Sequence, residues 1–334
     1  MAAELVFWLT VGVILYVYFA YPLLVLGLRL VIRRPIEKQP CEPFVSLLIP
    51  AYNEGAVIRE KIRNSLELDY PIERIEIVIA SDGSTDETDK IVLAMADGHH
   101  VRVLLYPTNR GKVITMNDSV PRLKGEIVVF SDASAMLRGD AIREIVANFH
   151  DHTVGAVSGA YQVRKIEQTT IGGSERLYWR YESFVRRQES ALDSVLGGHG
   201  HLYAVRKSLY PFPPSDTIND DYVVPVRVLS LGFRAVYEPK AIGWEDAAEM
   251  AGFRRRVRIV TGNFQQLREL PRLLGRPLPL FFFVSHKLGR LVVPFAMLSR
   301  SRHPLFCSLI RSSGCCSPYR APCICWLGRG PLFL

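Results

Sequence analysis

FVSLLIPAYNE, residues 44–54, decides the fold. Its first part, Phe44–Tyr52, is a nearly unbroken apolar run. A strand with one wet face alternates polar and apolar residues; a continuous run reads as a strand covered on both faces. The chain then repeats this theme. Helical spacing over Ala56–Leu68 puts Val57, Ile58, Ile62 and Leu66 on one side. Ile75–Ala80 is the next strand, and Thr85–Ala96 a helix opened by a Ser/Thr/Asp cluster that can cap it. Val101–Tyr106 is a third strand, Lys112–Leu123 a helix and Glu126–Ser131 a fourth strand. This alternation predicts a doubly wound, largely parallel α/β sheet. Such sheets bind ligands outside the carboxyl ends of their strands. Asn53-Glu54, Ser81-Asp82-Gly83 and Asp132-Ala133-Ser134 all fall at those ends.

Further on the pattern loosens. A strand is expected at 153–161, an aromatic- and arginine-rich helix at 174–192, and a helix at 220–231 despite Pro225. A strand at 233–237 and a helix at 247–270 follow. These elements define a domain over 44–270.

The chain's two ends differ in character from that domain. Leu5–Ile32 is almost wholly apolar and long enough for the roughly 30 Å bilayer core. Arg33 and Arg34 follow it directly, so residues 1–32 read as a transmembrane anchor with the rest of the chain on the cytoplasmic side. A signal peptide fits poorly, because the segment before the core carries only Glu4 and the core is too long. Residues 33–43 are a linker. Residues 271–299 are apolar but contain His286, Lys287 and Arg290. They suit an interfacial or packed helix better than a span. Residues 300–334 are irregular, hold five of the six cysteines, and suggest a shifted reading frame or truncated product.

The 334 residues are 49% hydrophobic and 22% charged, which excludes a disordered chain. The net charge of +8 is clustered after the anchor and at 254–258, a distribution that favours membrane and phosphate over nucleic acid. The domain over 44–270 has no cysteine, as suits a reducing compartment.

Six features carry candidate chemistry. Asp82 in SDGSTDET can accept hydrogen bonds from a base or ribose, or simply shape a turn. Asp132 with Ser134 in FSDAS can hold Mg2+ or Mn2+ against a diphosphate, or cap a strand. Asp220-Asp221 opens a helix, where the dipole alone would favour acids; one of the pair can also serve as general base. Arg255 and Arg258 share a helical face and match phosphate geometry, while Arg254 and Arg256 suit a membrane surface. Asn109-Arg110-Gly111-Lys112 opens a helix and favours an anion without being a P-loop. Gly197-Gly198-His199-Gly200 reads as a tight turn beside the acceptor, and His199 and His201 have no nearby carboxylate or cysteine in sequence to make a metal site.

In order and spacing, IPAYNE (49–54), SDGSTDET (81–88), NRGK with Asn117, FSDAS (130–134), Asp220-Asp221 and RRRVR (254–258) resemble the family 2 inverting glycosyltransferases of GT-A fold. The likeness is strongest to membrane-bound members that build bacterial polysaccharides or glycolipids. It implies that Ala51, Tyr52, Glu54, Asp82, Lys112, Asp132 and Ser134 bind a nucleotide-sugar, with a UDP-sugar as the expected donor. It implies a cation at Asp132, Asp221 as base, and Arg255 and Arg258 beside the diphosphate. The acceptor would be a saccharide or a lipid-linked sugar, and the location the inner (plasma) membrane. Three departures stand out: Ser134 replaces the second aspartate of the DxD motif, Asp220 replaces a glutamate, and the QxxRW segment has neither Gln nor Trp. A polyprenyl-phosphate sugar transferase, a nucleotidyltransferase and a degenerate nucleotide-binding paralogue are the competing readings.

Overall fold

A computed structural model describes residues 2–164, 170–246 and 253–294. The expected tail at 300–334 and the start of the 247–270 helix lie outside the described residues. Eight strands form one sheet in the order β3-β2-β1-β4-β7-β6-β8-β5. They are β1 (Val45–Ala51), β2 (Ile75–Asp82), β3 (Val101–Tyr106), β4 (Ile127–Phe130), β5 (Met136–Leu137), β6 (Val154–Arg164), β7 (Tyr203–Arg206) and β8 (Arg234–Asp246). β1 to β4 pair in parallel, as the alternating pattern predicts. β7 is antiparallel to β4 and β6, and β5 is antiparallel to β8. The sheet is therefore mostly parallel with two reversed strands.

The apolar runs explain why both faces are covered. Leu48, Val78, Val128 and Phe130 point into one core, while Leu47, Ile49, Ile77, Ile79 and Val129 point into the other. All of these are at most 1% exposed, and each such side chain contributes roughly 1.5–3 kcal/mol. The helices are α1 (Ala2–Leu15), α2 (Tyr21–Val31), α3 (Ile58–Leu66), α4 (Thr88–Met95), α5 (Lys112–Ser119), α6 (Ala141–Val146), α7 (Thr170–Leu192), α8 (Asp220–Ser230), α9 (Phe253–Gln265) and α10 (Pro277–Phe282). Helix α4 begins later than its Ser/Thr/Asp cluster suggests, because Asp86 spends its carboxylate on the Thr88 N–H and hydroxyl.

α1 and α2 are joined through a π-helical turn, Tyr16–Ala20. Phe7–Val31 is long and apolar enough to cross a membrane, with mean hydropathy 2.1. Its second half is docked on the domain. Val17, Tyr21 and Val25 are buried, Tyr21 Oη donates to Glu189 Oε1 at 2.5 Å, and Arg29 donates to Gln188 at 2.6 Å. The segment after α10 packs on both the N-terminal helix and α7: Tyr16 Oη lies 2.7 Å from Ser285 Oγ, and His286 Nδ1 lies 2.7 Å from Glu189 Oε1. Residues 277–294 thus form a docked helix, and the charges in its middle are explained by Glu182 and Glu189, which face His286 and Arg290 from α7.

Candidate active site

The carboxyl ends of β1, β2 and β4 meet at one rim. There the loops after β1 and β2 interlock. Asn53, at φ 54°, accepts from the Thr85 N–H at 2.8 Å and donates its own N–H to Ser84 Oγ. The Glu54 N–H reaches Thr88 Oγ1, and the Gly55 N–H reaches Asp86 Oδ2. Ala51 is buried beneath this junction, and Tyr52 stands 46% exposed above it. Asp82 is 3% exposed and accepts from the Arg110 and Gly111 N–H groups at 3.1 and 2.7 Å. Its visible work is to hold the turn that starts α5. Gly83, at φ +66°, is needed where that turn crosses, since a Cβ there would lie 2.5 Å from Asn109 N.

Starting at that turn, α5 carries Lys112 into the centre of the rim. Lys112 Nζ lies 2.8 Å from Asp132 Oδ1 and 3.0 Å from Asp220 Oδ1. Burial disfavours the Asp132 charge, but Lys112 outweighs it and holds the carboxyl down at about 2. Lys112 is raised in turn: burial opposes its charge, and Asp132 and Asp220 overcome that opposition. Asp220 is 4% exposed and also accepts from Tyr203 Oη at 2.8 Å. Asp221 shows no side-chain hydrogen bond or ion pair among the described residues. Burial, then the charge of Asp220, pushes its carboxyl up to about 6. The two neighbours are thereby differentiated, with Asp220 tied down and Asp221 available.

The loop Gly197–Gly200 frames the same space. Gly198 donates to the Asp221 carbonyl at 2.5 Å. That carbonyl is open because Pro225, four residues on, has no N–H for the helical bond. Arg186 adds longer contacts, 3.4 Å each, to the carbonyls of Gly197 and Gly198. The Asp132 N–H donates to the Gly200 carbonyl at 3.1 Å, which lays Asp132 beside this loop.

Ser134 behaves differently from a donor-binding residue: its hydroxyl donates to Glu245 Oε1 at 2.8 Å. Glu245 is a residue that sequence reasoning missed, and His201, set aside there for want of a carboxylate nearby in sequence, lies beside it. His201 Nε2 lies 3.1 Å from Glu245 Oε1, outside hydrogen-bond geometry. Arg258 is exposed on α9, and the Arg255 side chain lies outside the described residues.

A divalent cation fits this rim on three observations. The Lys112 ammonium already occupies the gap between two carboxylates. A Cβ at Gly200 would come within 2.5 Å of Asp132 Oδ2, so the carboxylate sits in a space that only glycine leaves open. Both His201 ring nitrogens are buried without a hydrogen-bond partner among the described residues. No trio of His, Cys, Asp or Glu among those residues closes into a cage, so donor oxygens and water must complete the shell.

A mostly parallel sheet with its carboxylates gathered at one rim suits a GT-A-type domain. Residues 46–211 match the profile of Glycosyl transferase family 2, and the chain belongs to that family. It is 24% identical over 263 residues to the poly-beta-1,6-N-acetyl-D-glucosamine synthase of Staphylococcus epidermidis, and 27% identical over 230 residues to that of Staphylococcus aureus strain COL. These alignments cover 76% and 67% of this chain, and the chain spans only 63% and 55% of those relatives. Among solved structures, the mannosyltransferase PcManGT from Pyrobaculum calidifontis, in complex with GDP-Man and Mn2+, superposes with a TM-score of 0.74 and 23% identity. That match covers 94% of this chain and 93% of the other. It shows the GT-A fold that the resemblance implied.

Proposed function

We propose that this glycosyltransferase moves a sugar, with inversion, from a nucleotide-sugar to a saccharide or lipid-linked acceptor during cell-surface polysaccharide synthesis. The observation that carries the reading is the division of labour between Asp220 and Asp221. A half-buried, unengaged carboxylate raised to about 6 is a suitable general base near neutral pH. Asp221 would take the acceptor hydroxyl's proton as that oxygen attacks the anomeric carbon. The nucleoside would lie over Tyr52 and the Asn53–Thr85 junction, with Glu54 and Asp82 at its edge. Lys112 would offset charge on the departing diphosphate, assisted from α9 by Arg255 and Arg258. When bound at Asp132, Mg2+ or Mn2+ would supply further charge stabilisation to the leaving group.

UDP-sugars are the expected donors, and a GDP-sugar is the alternative that the PcManGT complex recommends testing. Phe7–Val31 supports a membrane anchor, and Arg33 and Arg34 directly after it favour a domain on the cytoplasmic side of the inner membrane. Purified full-length protein should release nucleoside diphosphate from one nucleotide-sugar class in a divalent-cation-dependent manner. Release of pyrophosphate instead would identify a nucleotidyltransferase. Absence of turnover with every nucleotide-sugar and acceptor tried, alongside intact nucleotide binding, would point to the degenerate paralogue.

A further inference from the structure

We propose that Lys61 is a positioning residue for the cation site: together with Asn64, three residues further along α3, it clamps the 131–137 segment from its buried side and fixes where Asp132 presents its carboxylate. The inference rests on the metal-dependent sugar transfer proposed above and adds two residues that lie outside every motif at the rim.

Lys61 is fully buried, and lysine is almost never found so deep without a charged partner. The charges of Asp132 and Glu245 favour its ammonium from a distance. It makes no ion pair among the described residues; its hydrogen bonds go instead to two points of one turn, Nζ donating to Ser131 Oγ at 2.7 Å and to the Ala135 carbonyl. Asp132, Ala133 and Ser134 lie between those points. The turn is closed on itself by the Ala135 N–H on the Asp132 carbonyl at 3.1 Å. An apolar side chain would fill the same space without the cost of burying a charge. It would not grip both ends of the turn.

Asn64 completes the clamp at the far end. Its Oδ1 accepts from the Leu137 N–H at 2.8 Å, and its Nδ2 donates to the Leu137 carbonyl at 2.9 Å. Helical positions three apart share a face, so a single face of α3 carries both grips. Ser131 passes the grip on. While accepting from Lys61, its hydroxyl donates to the His201 carbonyl at 2.7 Å, next to Gly200, whose carbonyl takes the Asp132 N–H at 3.1 Å. The other end of α3 starts at the expected nucleoside side of the rim, where the Ile58 N–H reaches the Glu54 carbonyl at 2.9 Å. One helix therefore spans from the 52–54 loop to the turn that carries Asp132. Fully buried, Lys61 can act on a cation only through Asp132, as outer-shell partners act through the ligands they hold.

Calorimetry of UDP or GDP binding to the full-length chain, with Mn2+ and with excess chelator, tests this. Wild type should bind more tightly with Mn2+. Lys61→Met keeps the bulk and removes the donor. It should lower affinity in the presence of Mn2+ by at least about 10-fold, while affinity with chelator changes far less. Asn64→Ala and Ser131→Ala each release part of the clamp, and each should give a several-fold loss of the same cation-dependent kind. Those two variants decide the matter if Lys61→Met does not fold. Wild-type affinity with Mn2+ in Lys61→Met, or in both partial variants where that protein does not fold, would overturn the assignment and leave the transferase reading standing. Equal losses with and without Mn2+ would mean that α3 supports the nucleotide site as a whole, and would also overturn it. A wild type indifferent to Mn2+ with either nucleotide would sink the metal-dependent reading itself, and this inference with it.

Discussion

Gly198 gives its N–H to the carbonyl of Asp221 at 2.5 Å, and it can do so because Pro225 leaves that carbonyl without its helical partner. A helix-interior proline costs roughly 3 kcal/mol and is usually a defect. Here it opens the first turn of α8 to the loop that lines the site. Pro225→Ala restores an N–H that competes with Gly198 for the same acceptor. The variant should be more stable than wild type, with a raised melting temperature. It should also lose about 10-fold in kcat as the loop loosens. A gain in both stability and turnover would show that the tether has no part in activity.

Asp220 and Asp221 should separate cleanly by mutation. Asp221→Asn should lower kcat by about 10²–10⁴-fold, the range of general-base catalysis, with nucleotide affinity nearly unchanged by calorimetry. Asp220→Asn removes the negative charge beside Lys112 and one of the two oxygens that meet Lys112 and Tyr203. It should weaken nucleotide binding as well as turnover, because Lys112 loses one of its two anchors. If Asp221→Asn retained near-normal turnover, the base would have to be sought elsewhere.

The pH profile follows from the same pair. A general base works only when deprotonated, so activity rises with pH through the carboxyl's pKa and levels off above it. With Asp221 raised to about 6, kcat should fall as pH drops below roughly 6. Asp220's negative charge is one cause of that rise, so in Asp220→Asn the residual activity should show its acid limb at lower pH. An acid limb that stayed put in that variant would break the electrostatic link between the two carboxylates.

The sequence reveals the parallel half of the sheet well, because β1, β2 and β4 are covered on both faces and their apolar runs need no partner to be recognised. β7 is invisible by the same logic. It is four residues long, follows a glycine-rich turn, and is a strand only because β4 and β6 accept it between them. Asp132 and Asp221 are legible as carboxylates at element ends. Glu245 is not, because its proximity to Ser134 arises from the β5–β8 pairing of segments more than a hundred residues apart. Asp82 is readable as a polar strand end, but its occupation by the Arg110 and Gly111 N–H groups depends on how the β3–α5 turn closes.

The docking of the N-terminal helix predicts a stability effect away from the catalytic rim. Tyr21 is fully buried, and its hydroxyl meets Glu189, which also faces His286. Tyr21→Phe keeps the ring and removes the donor. His286 still reaches Glu189 Oε1, so the change should cost about 1.5–3 kcal/mol, the net value of one hydrogen bond to a charged acceptor, and lower the melting temperature by several degrees. Donor affinity should stay unchanged, since Tyr21 makes its contacts with α7 and the docked 277–294 helix. A melting temperature equal to wild type would mean that the helix is only loosely seated on the domain.

Gly200→Ala tests the space around Asp132 directly. The new methyl would stand 2.5 Å from Asp132 Oδ2, far inside van der Waals contact, so the carboxylate must turn away or the loop must shift. Gly200 has no left-handed backbone requirement, so the loss should fall on the site and not on folding. Turning Asp132 breaks its 2.8 Å pair with Lys112 and misplaces the cation ligand. Nucleoside diphosphate affinity in the presence of Mn2+ should drop by at least about 10-fold, while affinity measured with excess chelator should change far less. Equal losses with and without the cation would mean that the methyl blocks the nucleotide itself, and that Gly200 faces the diphosphate more than it faces Asp132.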